Sequence, residues 1–218
     1  MTEPPKGHRS LGILAPLRVL FVCTANISRS PYAERRTRQA VGEGLAVSSA
    51  GIPGFPGRGM DEAMEHLLLE RGGDGSGHVS RAVDQDMVED VDLVVVFEFA
   101  HYVRLLEMDA GNRTKAVSLG QVAAAAVRPS TPSDDWSMMD GPEIVAAVVG
   151  AVGPHSMSFD VEDPYRRGPA IARQCANEID ACLAVLLPRL TGRPLVHPLV
   201  GRRVEPDPRG PLAWFRRS

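Results

Sequence analysis

Cysteine is scarce in this sequence, with three residues among 218, at positions 23, 175 and 182. Three widely spaced cysteines cannot form the dense disulfide framework of a small secreted domain. The sequence also shows no secretory signal, because Pro16 and Arg18 interrupt the apolar segment 11–22. These absences predict a cytoplasmic protein, in which thiols stay reduced.

Long apolar runs are also absent, since no stretch approaches the roughly 20 residues that cross a bilayer. We therefore predict no transmembrane segment. The net charge of −3 gives no indication of a nucleic-acid partner. No cluster of histidine, cysteine and carboxylate residues has the spacing of metal ligands, so neither a metal nor another cofactor is predicted.

Apolar runs and amphipathic segments alternate along the chain. Short runs rich in β-branched residues predict four buried strands, at residues 19–22, 45–49, 92–97 and 115–119. Helical patterns lie between these strands and at 172–190. The alternation predicts a three-layer α/β fold of Rossmann-like type, a four-stranded parallel sheet with helices on both faces. Ligands bind beyond the carboxyl ends of such strands, which directs attention to the segment after the first strand.

That segment has the pattern Cys-x5-Arg, from Cys23 to Arg29, and Pro31 suits the first turn of the helix that follows. A short loop that ends on a helix N-terminus points backbone N–H groups into its centre, where they can hold phosphate or a similar oxyanion. Arg29 adds a planar guanidinium that can bind two phosphate oxygens. The positive charge favours the nucleophilic thiolate of Cys23, to which Ser30 can donate a hydrogen bond. The predicted phosphate-binding residues are Thr24, Ala25, Asn26, Ile27, Ser28, Arg29 and Ser30.

The pattern alone has a second interpretation, because a cysteine at the end of a buried strand is most often a small core residue. Its position between strand and helix, followed by Ser30-Pro31, favours a catalytic site. Residues 23–31, Cys-Thr-Ala-Asn-Ile-Ser-Arg-Ser-Pro, resemble the signature Cys-x-Gly-Asn-x-Cys-Arg-Ser-Pro of the low-molecular-weight protein tyrosine phosphatases. The late Asp-Pro-Tyr of that family, which supplies its general acid, is similar to residues 163–165 of this chain.

The resemblance covers roughly residues 17–120 and 158–190 and implies a phosphatase domain at 17–190. Within it, about 121–158 would be an insertion, for which the sequence predicts a helix near 141–152 and no function. Residues 1–16 are predicted to be a flexible leader, and 191–218 an irregular tail rich in proline and arginine.

The resemblance also implies roles for single residues. The catalytic residues would be Cys23, Arg29 and Asp163. A polar network that braces the loop would consist of Asn26, Ser30, Ser49 and His78. The substrate cleft would be lined by Phe55, Tyr165 and Arg166. Because Arg166 stands where the family has a second aromatic residue, one wall would be more basic and would prefer acidic flanking sequence.

Two residues of the loop depart from the family pattern. Ser28 replaces a second cysteine that can form a protective disulfide with the nucleophile, so oxidation of Cys23 should be less readily reversed by that route. Ala25 replaces a glycine. If that position requires a positive φ, alanine costs roughly 1 kcal/mol or more, and otherwise nothing is lost.

The activity implied by the resemblance is hydrolysis of tyrosine-phosphorylated proteins through a phosphocysteine intermediate. One alternative is an arsenate reductase of the same fold, which would pass oxidation to two further cysteines, and this chain has two, Cys175 and Cys182. Cys175 and Cys182 are separated by about 10 Å along a helix, beyond the roughly 7 Å limit for a disulfide, and core packing is the favoured interpretation of both. A non-catalytic phosphoprotein-binding module is the other alternative, against which the retention of Cys23, Arg29 and Asp163 argues.

Overall fold

The structure is a computed structural model that describes residues 16–126 and 139–199. Its sheet contains strands β1 (Leu17–Cys23), β2 (Leu45–Gly51), β3 (Leu93–Val96) and β4 (Ala116–Ser118). The strand order is β2-β1-β3-β4, and every neighbouring pair is parallel. The prediction of a four-stranded parallel sheet is therefore confirmed. In the centre of the sheet, β1 ends at Cys23, which pairs in register with Gly51 at the end of β2.

Helices connect the strands and cover the sheet. They are α1 (Arg29–Val41), α2 (Glu62–Glu70), α3 (Gln85–Glu89), α4 (Phe99–Met108), α5 (Leu119–Ala126), α6 (Gly141–Ala151) and α7 (Pro169–Thr191), with short 3-10 helices at Gly42–Gly44, Ala110–Thr114 and Met157–Phe159. No helix within the described ranges is both long and apolar enough to cross a membrane. Residues 1–15 of the predicted leader, residues 127–138 of the predicted insertion and the tail from residue 200 onward fall outside the described residues. The proposed domain boundaries stay predictions.

Alternate side chains of β1 pack on opposite faces of the sheet. Phe21 and Cys23 join the larger core, to which α1 and α7 contribute, whereas Leu20 and Val22 join a smaller core with residues of α3 and α4. A strand buried on both faces reads as a continuous apolar run, which is why its sequence shows no alternation. The prediction of helices on both faces is confirmed.

The two cysteines of α7 belong to the larger core. Cys175 and Cys182 are both buried among apolar residues, and burial raises the pKa of each thiol. The prediction that they serve core packing is confirmed. A thiol that stays protonated is a poor nucleophile, so neither residue suits disulfide exchange.

A buried ionic cluster ties α1 to α2 and α7. Asp180 of α7 accepts hydrogen bonds from Arg36 of α1, at 2.9 Å and 3.0 Å, and from Arg71 at the end of α2, at 2.8 Å. Breaking such a buried pair typically costs about 3–5 kcal/mol, because the remaining charge loses its partner. The cluster therefore holds α1, the helix that begins at Arg29, against the body of the domain.

Candidate active site

The loop from Cys23 to Arg29 owes its closed shape to two backbone features. Asn26 adopts the left-handed conformation, with φ of 58°, at the point where the loop turns back. Gly51 lies so close beneath it that a Cβ there would be 2.8 Å from Asn26 N and from the Ala25 carbonyl carbon. Among the described residues other than glycine, positive φ occurs only at Asn26 and Arg166. Ala25 is therefore unstrained, and its replacement of the family glycine costs nothing.

The loop forms the floor of a cleft with a volume of about 310 Å³. Its lining consists of Cys23, Thr24, Ala25, Ile27, Ser28, Arg29, Phe55, Arg58, Asp163, Tyr165 and Arg166. All three predicted catalytic residues and all three predicted cleft residues are thus brought together, although 140 positions separate Cys23 from Asp163 in the numbering (163 − 23). Asn26 and Ser30 are absent from the lining because their side chains lie buried behind the loop.

Cys23 is a buried residue that reaches the cleft, and its sulfur lies 3.1 Å from the Ser30 hydroxyl oxygen. The Asn26 side-chain amide donates to Ser30 Oγ at 3.0 Å and to Ser49 Oγ at 2.8 Å. Since Asn26 supplies a hydrogen to Ser30, the Ser30 hydroxyl is free to direct its own hydrogen to Cys23 Sγ or to the Ala50 carbonyl at 3.2 Å. Ser30 is thus placed to donate a hydrogen bond to the sulfur of the loop cysteine.

The remaining contacts of Asn26 fix its orientation. Its backbone carbonyl oxygen lies 2.8 Å from His78 Nε2, and its side-chain oxygen accepts from the backbone N–H of Arg81 at 3.0 Å. Ser49 in turn donates to the Glu34 carboxylate at 2.5 Å. The residues predicted to brace the loop therefore lie in one hydrogen-bonded chain. Glu34 and Arg81 extend that chain. Arg81 belongs to a His-x-x-Arg segment, with His78, that resembles one of the family, whereas no pattern in the sequence pointed to Glu34.

Arg29 is 99% buried beside the loop. One terminal nitrogen donates to Glu98 Oε1 at 2.6 Å and to the Val161 carbonyl at 2.7 Å. The other donates to Thr24 Oγ1 at 3.2 Å and lies 3.1 Å from Asp163 Oδ2. Burial acts to lower the pKa of Arg29, but the negative charges of Cys23, Glu98 and Asp163 outweigh it, and the pKa is raised. The guanidinium is thus held in one orientation and stays charged.

Glu98 and His101 complete this arrangement, and sequence reasoning missed both. His101 Nδ1 accepts from the Glu98 backbone N–H at 3.1 Å, so the neutral ring carries its proton on Nε2, which lies 2.9 Å from Thr24 Oγ1. Burial and the charge of Arg29 lower the pKa of His101 to about 3, which keeps the ring neutral. One signal was available: Glu98 closely follows β3, at the sheet edge where ligands bind.

The segment 159–165, called here the Asp-Pro segment, holds three carboxylates in different surroundings. Asp163 is 43% exposed at the cleft, beside Arg29, and its Oδ1 accepts from the Tyr165 N–H at 3.2 Å. Glu162 pairs with Arg167 outside the cleft. Asp160 accepts from the backbone N–H of Phe99. Only Asp163 of the three lines the cleft, as the position of the Asp-Pro-Tyr motif predicted.

The rim of the cleft combines aromatic and basic side chains. Phe55 and Tyr165 both line the cleft, and both are exposed, at 55% and 36%. The Arg166 guanidinium lies over the Tyr165 ring, 5.2 Å from its centroid. Arg58 lies in a loop anchored by backbone hydrogen bonds to Ser80 in both directions. Apart from Arg29 and Asp163, the charged residues that line the cleft are both arginines.

The chain is similar to known proteins in sequence and in fold. The family model described as low molecular weight phosphotyrosine protein phosphatase matches residues 18–128. The Escherichia coli K12 low molecular weight protein-tyrosine-phosphatase Wzb is 34% identical over 102 residues, which are 47% of this chain and 69% of that protein. A low molecular weight protein-tyrosine-phosphatase of Streptomyces coelicolor is 31% identical over 176 residues, covering 78% and 91% of the two chains. The solved YwlE arginine phosphatase from Geobacillus stearothermophilus shares the fold, with a TM-score of 0.61 and 22% identity over 81% of this chain and 94% of that one.

Proposed function

Since the chain belongs to the low-molecular-weight protein tyrosine phosphatase family, we propose that it hydrolyses phosphotyrosine in proteins through a phosphocysteine on Cys23. The observation that carries the proposal is the convergence of Cys23, Arg29 and Asp163 on one cleft. Phosphate would sit over the sulfur, with its oxygens bound by the backbone N–H groups of the loop and by the guanidinium. Arg29 Nε supports this assignment, because it is a buried donor without a partner among the described residues, and an oxyanion would satisfy it.

The reaction proceeds in two steps. The Cys23 thiolate attacks phosphorus in line, so that a sulfur–phosphorus bond forms as the ester bond to the phenol breaks. Asp163 gives its proton to the departing phenolate oxygen, and then takes a proton from the water that hydrolyses the phosphocysteine. Arg29 stabilises the negative charge that is spread over the transferring group. Asp163 lies 3.1 Å from a terminal nitrogen of Arg29, so its carboxyl group would stand beside the bound phosphate.

The lining of the cleft favours an aromatic phosphate ester. Phe55 and Tyr165 line it and offer aromatic surface to a phenol, and Ile27 adds an apolar contact. Arg58 and Arg166 favour acidic residues beside the phosphotyrosine. The arginine phosphatase named above shares the fold, so the fold by itself does not select the substrate. Two arginines at the rim would repel a guanidinium-bearing substrate, and this charge argues for phosphotyrosine over phosphoarginine.

The partner in this proposal is a tyrosine-phosphorylated protein, and the location is cytoplasmic. The chemistry supports that location, because only a reduced Cys23 can attack phosphorus. Ser28 offers no second thiol in the loop with which an oxidised Cys23 could pair. A compartment that keeps thiols reduced therefore suits this chain.

The test compares turnover of one acidic peptide carrying phosphotyrosine, phosphoserine or phosphoarginine. The wild-type protein should release phosphate fastest from the phosphotyrosine peptide. Cys23→Ser should release none above background, and Asp163→Ala should be slower by about 10²–10⁴-fold. Faster release from phosphoarginine would refute the substrate assignment. Wild-type turnover no higher than that of Cys23→Ser would instead favour a binding module, and arsenate-dependent oxidation of a thiol donor would favour a reductase.

A further inference from the structure

The Asp-Pro segment is bound to the start of α4 before it reaches the cleft. The backbone N–H of Phe99 donates to Asp160 Oδ1 at 2.7 Å, and the N–H of Val161 donates to the Phe97 carbonyl at 2.8 Å. The Val161 carbonyl then accepts from Arg29 at 2.7 Å. Three consecutive contacts thus fix residues 160 and 161, two positions ahead of Asp163.

The hydrogen bond to Asp160 also gives an acceptor to a backbone N–H at the start of the helix. Phe99 is the first residue of α4, and the first N–H groups of a helix have no partner within it. Glu98, which precedes it, is the N-cap residue and holds Arg29 through its side chain. Asp160 therefore joins the Asp-Pro segment to the same helix start that orients Arg29.

On its other side the segment packs against α5 with no room to shift. A Cβ on Gly120 would lie 2.5 Å from the carbonyl oxygen of Phe159, so the backbones touch only because residue 120 is glycine. Val161 is fully buried. By contrast, Asp163 and Tyr165 are part-exposed at the cleft. Residues 159–161 thus form the anchored base of a segment whose far end carries the carboxyl group.

We propose that Asp160 is a positioning residue for the reaction: by accepting the Phe99 N–H it sets the position of Asp163 over the phosphate site. This inference rests on the proposed function, in which Asp163 is the proton donor. Asp160 lines no part of the cleft and is not itself a catalytic residue. The role requires an oxygen that accepts the Phe99 N–H. It does not require a charge, and burial, together with the nearby charge of Glu98, raises the pKa of Asp160.

A misplaced proton donor has a signature that a loosened fold lacks. A displacement of 1 Å at a reacting group can cost on the order of 10²-fold in rate. The loss falls on esters of weakly acidic phenols, which need the proton, and spares esters of strongly acidic phenols, which leave without it. The ratio of kcat/KM for phenyl phosphate to kcat/KM for p-nitrophenyl phosphate therefore reports on the position of Asp163.

The experiment measures this ratio for the full chain and its variants. Asp163→Asn provides the reference for complete loss of the donor. Asp160→Ala should lower the ratio by roughly tenfold or more relative to wild type. Asp160→Asn keeps an oxygen that can accept the Phe99 N–H, and it should recover most of the wild-type ratio. Equal ratios for Asp160→Ala and wild type would overturn the inference.

A second pair of variants removes the same hydrogen bond from the other partner. Phe99→Pro deletes the N–H at the first helical position, where proline is tolerated, and should lower the ratio as Asp160→Ala does. Phe99→Leu keeps the N–H and removes only the ring, so it is the matched control and should leave the ratio unchanged.

If Asp160→Ala does not fold, the proline variant decides the matter. If Asp163→Asn itself leaves the ratio unchanged, the proposed proton donor is wrong; if it lowers the ratio while the other variants do not, only the present inference fails.

Discussion

Replacing Asn26 by alanine should destabilise the protein more than replacing it by glycine. Asn26 is fully buried and its side chain makes three hydrogen bonds, to Ser30, Ser49 and the Arg81 N–H. Each contributes about 0.5–1.5 kcal/mol, so their loss costs about 3 kcal/mol in either variant. Alanine pays a further penalty, because at a φ of 58° its Cβ crowds the backbone. That strain is about 1–2 kcal/mol. Glycine avoids the strain, but its greater conformational freedom in the unfolded chain removes about half of this advantage over alanine.

The free energy of unfolding, measured by urea denaturation, checks this reasoning. Asn26→Ala should lose about 4 kcal/mol, a large part of the roughly 5–15 kcal/mol that holds a domain folded. Asn26→Gly should be more stable than the alanine variant by about 1 kcal/mol. Both variants should also lose phosphatase activity, because Asn26 orients the Ser30 hydroxyl beside Cys23. A glycine variant that is less stable than the alanine variant would refute the argument from backbone conformation.

Two further outcomes follow from burial. Iodoacetamide at neutral pH should modify Cys23 and leave Cys175 and Cys182 unmodified in the folded protein, since burial raises the pKa of both helix thiols. Peptide mass spectrometry measures the modification of each cysteine. Modification of Cys175 or Cys182 in the native state would contradict the prediction. Burial and the charge of Glu162 raise the pKa of Glu178 to about 7, so the folded state binds a proton that the unfolded state releases above about pH 4.5. The free energy of unfolding should therefore fall by up to about 3 kcal/mol as pH rises from 4.5 through 7. Glu178→Gln should flatten this part of the plot of unfolding free energy against pH. If the variant keeps the pH dependence of the wild type, Glu178 is ionised in the folded protein.

Local patterns in the sequence were sufficient for the fold class and for the centre of the site. The strands at 19–22 and 92–97 were visible because a strand covered on both faces must be apolar throughout, and the structure extends or trims their ends by one or two residues. The loop from Cys23 to Arg29 was visible because an oxyanion cradle at a helix start needs consecutive residues. The bracing roles of Asn26, Ser49 and His78 came from the family resemblance, not from any local pattern.

Tertiary structure alone decided what surrounds those residues. Glu98, His101 and the Val161 carbonyl meet Arg29 and Thr24 from segments about 70 and 130 positions away, and no spacing rule connects such partners. The conformation of the loop was equally hidden, since positive φ falls on Asn26 and not on Ala25. A strand, a turn or an anion-binding loop is dictated by neighbours along the chain, so one sequence suffices to predict it. The partners of a buried charge are set by how the strands and helices pack, and that packing exists only in the folded protein.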